Sequence, residues 1–274
     1  MLPIDWNVAV KYAKLVQISE TVFPGGTDAQ LQAALTGTGY TYLDTLYGNE
    51  LATDIDPTAS GNIVPYGFLA LSASNELVAS IRGTSDIWDW IHDFSFLMVP
   101  SPIPGVMGAT EDGFTAIYRS FRTDKAPGGT SAVAAIKAHL TAGAAKTVTV
   151  CGHSLGGALA TLLIADVAVN TPCKMPVGYT YASPRTGDHQ FAGAFNASVP
   201  ANYRIFNRQD VVPQLPPFLP LPYEHVNTPY ELNPPPNAIQ PNLLCMHHLT
   251  TYIWLMEHQP GGSGNDPLNK ECVG

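Results

Sequence analysis

Basic side chains are scarce: 13 Lys and Arg stand against 22 Asp and Glu in 274 residues, a formal net charge of −9. No Lys/Arg stripe is available to neutralise phosphates, so nucleic acid is not an expected partner. The same field disfavours adsorption to strongly anionic membranes and suits a neutral or zwitterionic substrate. Cysteine is scarce too, and four in a chain of this length do not make a disulfide scaffold. Cys151 lies in an apolar run and reads as a buried free thiol. Cys173, Cys245 and Cys272 can supply at most one bridge, and a Cys245–Cys272 tie across the tail is one of the pairings left open. Long apolar runs are also missing. The longest, Ala158 to Val169, is interrupted by Thr161 and Asp166 and is too short to span a bilayer, so no transmembrane segment is expected. The start, Met1-Leu2-Pro3-Ile4-Asp5-Trp6, has neither a basic n-region nor an apolar h-region. It predicts an intracellular protein, or a secreted one whose leader has been removed.

What is present is apolar material for a large core: 45% of residues are hydrophobic and 13% charged, the balance of a folded globule rather than a disordered chain. Helical spacing from Asp5 to Phe23 (Val8, Tyr12, Leu15, Val16) is stopped by Pro24-Gly25-Gly26. Two β-like runs, Ile63 to Ser72 and Glu76 to Arg82, flank the turn Ala73-Ser74-Asn75 and read as a hairpin. Helical patterns at about 112–122, 130–141, 155–169, 188–197 and 248–258 follow. They alternate with strand patterns at Thr147 to Cys151, Val177 to Ala182 and Tyr203 to Asn207. That alternation predicts an α/β fold with a mainly parallel central sheet covered by helices on both faces, formed by residues 1–274 as one domain. The Pro-rich stretch Val211 to Pro236 is expected to be ordered loop rather than helix or central strand. Gly261-Gly262-Ser263-Gly264-Asn265 reads as the start of a loose tail.

Gly152-His153-Ser154-Leu155-Gly156 matches G-x-S-x-G. The pattern is weak alone but gains meaning from the β-branched run Thr147 to Cys151 before it and the helical run Ala158 to Val169 after it. Strand, tight turn and helix are what a nucleophilic serine requires. The turn is strained and needs glycine neighbours, while the helix N-terminus aims free N–H groups at the oxyanion formed on acyl attack. Ser154 is therefore the expected nucleophile and the Leu155 amide an oxyanion donor.

Together with Gly152 to Gly157, three further segments resemble the fungal-type (class 3) lipase family of the α/β-hydrolase fold. They are Ile81-Arg82-Gly83-Thr84 with Asp89-Trp90-Ile91-His92-Asp93; Tyr181 to Asp188 with its Ser183-Pro184-Arg185; and Arg204 to Pro213. The resemblance implies that Thr84 supplies the second oxyanion amide. It also implies that a loop after the third strand carries the triad acid. Chain order in this fold is Ser, acid, His. Asp166, Asp188, Asp210, Glu224 and Glu231 are the candidates. Asp166 lies within the elbow helix and Asp188 suits a helix cap, whereas Asp210 follows a strand at the edge where catalytic loops gather. For the base, His92, His139, His153 and His189 precede the acid and drop out. His225 falls in a non-catalytic family motif, and His258 ends a helix. His247 and His248 remain, and both cannot face the serine. The family form His-x-Leu-x-x-Tyr, met here as His247 to Tyr252, implies His247 as base with His248 the alternative.

The segment at about 86–99, with Trp88, Trp90 and Ile91, is amphipathic and reads either as a lid over the acyl site or as a core helix. Val211, Val212 and Leu215 supply a second apolar wall beside Asp210. The resemblance thus implies a serine carboxylic-ester hydrolase, a lipase on acylglycerols or other neutral lipid esters met at a lipid–water interface. Relatives of this fold that cleave aromatic (feruloyl-type) or short-chain esters are the alternative, and an inactive binding relative is the rival from another class. Such acyl transfer uses no cofactor and no metal, and no His, Cys and carboxylate grouping has ligand-like spacing.

Overall fold

The computed structural model describes residues 3–23, 25–50, 62–84, 96–126, 128–217 and 222–274. Its frame is a seven-stranded sheet in the order β1-β2-β3-β6-β7-β9-β11. β1 (Tyr40–Asn49), β2 (Ile63–Ser72) and β3 (Glu76–Ile81) form an antiparallel edge. From β3 onward, β6 (Thr147–His153), β7 (Val177–Tyr181), β9 (Ala201–Asn207) and β11 (Pro229–Leu232) are all parallel. The mainly parallel α/β sheet expected from the alternating pattern, and the α/β-hydrolase architecture that the resemblance implied, are thus present. A smaller sheet, in the order β10-β8-β5-β4, joins Tyr223–Glu224, Gly187–Asp188, Ala109–Glu111 and Met98–Pro100.

The central strands are apolar on both faces because helices cover both. Side chains alternate with period two: Leu77, Ala79, Ile81, Val148 and Val150 enter one core, Val78 and Cys151 the other. The first core is closed by α3 (Asp112–Arg119), α4 (Ala132–Thr141), α5 (Leu155–Asn170) and α6 (His189–Ser198). α5 is buried from Leu155 through Val167, which explains its lack of a polar stripe. The second core is closed by α1 (Trp6–Val22), α2 (Asp28–Leu35) and α8 (Leu249–Glu257). α1 starts where Asp5 accepts from the amides of Asn7 (2.9 Å) and Val8 (3.3 Å).

Two expectations are corrected. The Pro-rich stretch is not all loop: it carries β10 and the edge strand β11, with Pro229 at the strand's first position, where a missing N–H costs least. Nor is the tail loose. Ser263 N donates to Asn7 Oδ1 (2.9 Å) and Asp266 N to Glu257 Oε2 (2.9 Å). Lys14 reaches Asp266 at 3.1 Å, and Cys272 is bonded to Cys245. A sparse tail is ordered here because the body supplies its partners. Cys151 is a buried free thiol, as expected.

The disulfide closes a loop of 27 residues, which a chain-entropy estimate converts to about 3.5 kcal/mol. Cys272→Ser is therefore expected to lower the unfolding free energy by about 3 kcal/mol in urea titration. An equal midpoint for oxidised wild type and variant would refute this.

Candidate active site

β6 ends in the elbow. Ser154 takes φ 56° and ψ −129°, a conformation costing a non-glycine residue on the order of 1–3 kcal/mol. The strain is held from both sides: Ser154 N donates to Tyr181 O at 2.9 Å, and Gly157 N to Ser154 O at 2.8 Å. Glycine is required on either side by close approach. A Cβ on Gly152 would run into the carbonyl oxygen of Gly156, and one on Gly156 into that of Arg82. The serine then opens α5, so the Leu155 amide belongs to the helix's first turn, where no intrahelical acceptor exists.

Strand register brings the rest together. β3 pairs Ile81 with Gly152, so Gly83 and Thr84, just past the strand end, arrive beside the serine. β7 pairs Tyr181 with both His153 and Ile205, so Asp210 emerges just beyond β9 on the same sheet edge. The histidine comes from the five-residue helix α7 (Leu243–His247). His247 Nε2 lies 2.9 Å from Ser154 Oγ and Nδ1 2.8 Å from Asp210 Oδ2. All three residues are buried. With the carboxylate accepting from Nδ1–H, Nε2 is left as acceptor for the serine proton. Burial holds the His247 imidazole below its ordinary value, against the opposing pull of Asp210. Asp210 is fixed by two more donors, the Val212 amide on Oδ1 at 3.0 Å and the Tyr252 hydroxyl on Oδ2 at 2.8 Å.

Of the two histidines, His248 does not reach the serine. It is exposed on the cleft lining, at the position before α8, and makes no side-chain capping bond there. The other candidates have structural duties. Asp166 accepts from Tyr118 at 2.5 Å, Asp188 caps α6 through the Phe191 amide at 2.8 Å, and His258 meets Trp254 O at 2.7 Å.

Ser154, His247 and Thr84 line a cleft of ≈ 250 Å³, with Phe23, Leu244 and Leu249 as its apolar surfaces. The expected wall at 211–215 needs correction. Val212 is fully buried and contributes its amide to Asp210 rather than an apolar face. Val211 and Leu215 do face open space, but in a neighbouring recess of ≈ 450 Å³ with Leu243 and Met246. Trp88, Trp90 and Ile91, and the segment at about 86–99 as far as residue 95, lie outside the described residues. The far end of that segment is tied by Tyr223, whose hydroxyl donates to Phe96 O (3.2 Å) and Leu97 O (3.1 Å).

Sequence reasoning passed over Glu20 and discarded His153, yet both line the cleft. Chain order excluded His153 as base, and nothing local to Glu20 pairs a helix carboxylate with a residue so distant in the chain.

Comparison with known proteins places the chain among lipases. The family described as Lipase (class 3) matches residues 78–219, which include Thr84, Ser154 and Asp210 and stop short of His247. A secreted mono- and diacylglycerol lipase 1 of Fusarium solani is 32% identical over 163 residues, 59% of this chain and 45% of that protein. A phospholipase A1-II 7 of Oryza sativa subsp. indica is 32% identical over 177 residues, 54% of this chain and 43% of that protein. The chain spans about half the length of the curated relatives it matches. Among solved structures, a Rhizomucor miehei triacylglyceride lipase superposes with a TM-score of 0.63 at 26% identity, covering 82% of this chain and 79% of that one.

Proposed function

The chain belongs to the class 3 lipase family, whose match spans just over half of it, and from that premise we propose that it is a serine carboxylic-ester hydrolase acting on acylglycerols or other neutral lipid esters. The observation that carries the proposal is the unbroken hydrogen-bonded line from Ser154 Oγ through His247 to Asp210, at 2.9 and 2.8 Å. In the first half-reaction Ser154 Oγ attacks the ester carbonyl while His247 Nε2 takes its proton, and the Leu155 and Thr84 amides receive the oxyanion. The imidazolium, stabilised by Asp210, then protonates the departing alcohol. Water attacks the acyl-serine with His247 again as base, releasing the acid.

Substrate class is argued from the cleft and from charge. Phe23, Leu244 and Leu249 offer an acyl chain apolar contact, and a net charge of −9 disfavours anionic substrates. Relatives named as a mono- and diacylglycerol lipase and as a phospholipase A1 support a lipid ester. A secreted setting fits the Cys245–Cys272 disulfide, since such bonds persist in oxidising compartments, and it fits the relatives named as secreted.

Hydrolysis of p-nitrophenyl esters of increasing acyl length, beside a feruloyl ester and a triglyceride emulsion, tests the proposal. Turnover of lipid esters over the feruloyl ester is expected. No acid released from any of them would sink the hydrolase reading, and exclusive feruloyl turnover would sink the lipid one.

The pH profile follows from His247, which must be neutral to accept the serine proton. Its depressed pKa places the acid limb of kcat/KM below the ordinary imidazole value of 6.5. Activity should rise through that midpoint and stay flat toward pH 8. A limb centred above pH 7 would contradict the burial argument.

A further inference from the structure

Behind the catalytic pair lies a second histidine and carboxylate, which the mechanism above leaves idle. His153, the residue before Ser154, is buried. Its Nδ1 is 2.8 Å from Glu20 Oε1 and its Nε2 is 2.9 Å from the backbone carbonyl oxygen of His247. A carbonyl has no proton to give, so Nε2 must donate. Although burial alone would raise the Glu20 carboxyl, the charge of His153, its hydrogen bond and the nearby Gly83 backbone hold it below its ordinary value. Glu20 is therefore a carboxylate and Nδ1 donates as well, which leaves the ring with both protons. Burial opposes an imidazolium here, and Glu20, the His247 carbonyl and Asp210 together outweigh it to raise the His153 pKa.

What this cation touches matters. His247 is the last residue of a five-residue helix, too short to be stable alone, and its carbonyl is one of the orphan acceptors at that helix end. A charged donor there completes the turn and complements the helix dipole. The two imidazole rings lie 4.8 Å apart at 34°. Asp210 adds a further negative charge near His153, and the Tyr252 ring stands 6.0 Å from that of His153. Arg82, in the same cleft, is turned away onto Pro65 O and Gly83 O, both at 2.8 Å, and toward Glu50.

We propose that Glu20 is a positioning residue for acyl transfer: through His153 it holds the backbone of the catalytic histidine. One side chain on α1 thus sets the base beside the elbow. The inference rests on the reading of Ser154, His247 and Asp210 as an esterase centre.

The test is steady-state kinetics of Glu20→Ala and Glu20→Gln on p-nitrophenyl butyrate, with a phosphonate counting reactive serines and ¹⁵N NMR of the His153 ring in the wild type. Glu20→Ala is expected to lower kcat by about 10–100-fold, the scale of an ångström's misplacement, with KM little changed and every molecule still labelled at Ser154. Glu20→Gln should restore most of the rate: its amide can donate to Nδ1 of a neutral His153, leaving Nε2–H on the His247 carbonyl. Wild-type His153 should carry protons on both nitrogens at neutral pH. Wild-type kcat in Glu20→Ala, a loss expressed only in KM, a loss that tracks the fraction of unlabelled protein, or a neutral His153 in the wild type would each overturn the inference. A wild type inert to both ester and phosphonate would instead overturn the esterase reading, and this inference with it.

Discussion

Ser154→Ala is expected to lower kcat on p-nitrophenyl butyrate by on the order of 10⁶, the scale of losing the nucleophile of a serine hydrolase triad. His247→Ala should cost about as much, and the double variant no more than either, because the two side chains act as one unit across a single 2.9 Å hydrogen bond. His248→Ala is the control. Its side chain is exposed and forms no hydrogen bond with Ser154, whose partner is His247, so its kcat should stay near wild type. A dead His248→Ala beside an active His247→Ala would reverse the assignment of the base. Additive losses in the double variant would show that serine and histidine work separately.

Asp210→Asn is expected to lower kcat by about 10⁴ while leaving the fold intact. The reason lies in the donors around the carboxylate. Oδ1 accepts from the Val212 amide, and Oδ2 from His247 and the Tyr252 hydroxyl. A carboxamide has one oxygen for three donors. The Val212 N–H is fixed by the backbone, whereas a hydroxyl can rotate and an imidazole can change tautomer. The amide oxygen therefore stays on Val212 and its NH₂ turns to His247. Nδ1 must then accept, the proton moves to Nε2, and the imidazole can no longer take the proton of Ser154. Comparing kcat with the unfolding midpoint checks this. A loss below tenfold at unchanged stability would mean that Asp210 does not set the tautomer.

Much of the fold was legible because its central strands and helices are extreme in pattern. β6 and β7 are short runs bounded by turn residues, and α5 is apolar on every side because sheet and helices enclose it. α2 escaped notice although Thr27 and Gln30 form a capping box, a local signal with a mechanism. β11 was hidden by the prolines around it, since an edge strand tolerates what a central strand does not. The order of the tail could not be read locally, because its partners Asn7, Lys14 and Glu257 lie on α1 and α8.

The site divides the same way. Sequence alone determined the candidate nucleophile, because strand, glycine turn and helix are short-range requirements that Gly152 to Gly157 meets within a few residues. It also determined Asp210, which chain order and position after a strand separate from four other carboxylates. Only the tertiary structure shows which of His247 and His248 reaches Ser154. His247 ends α7, whereas His248 is the extended junction residue between α7 and α8 (φ −53°, ψ 135°), so which of them meets the serine depends on how α7 is seated. That seating is set by distant groups: the disulfide from Cys245 to Cys272, the Asn207 side chain on Met246 O at 2.9 Å, and His153 on the carbonyl of His247 itself.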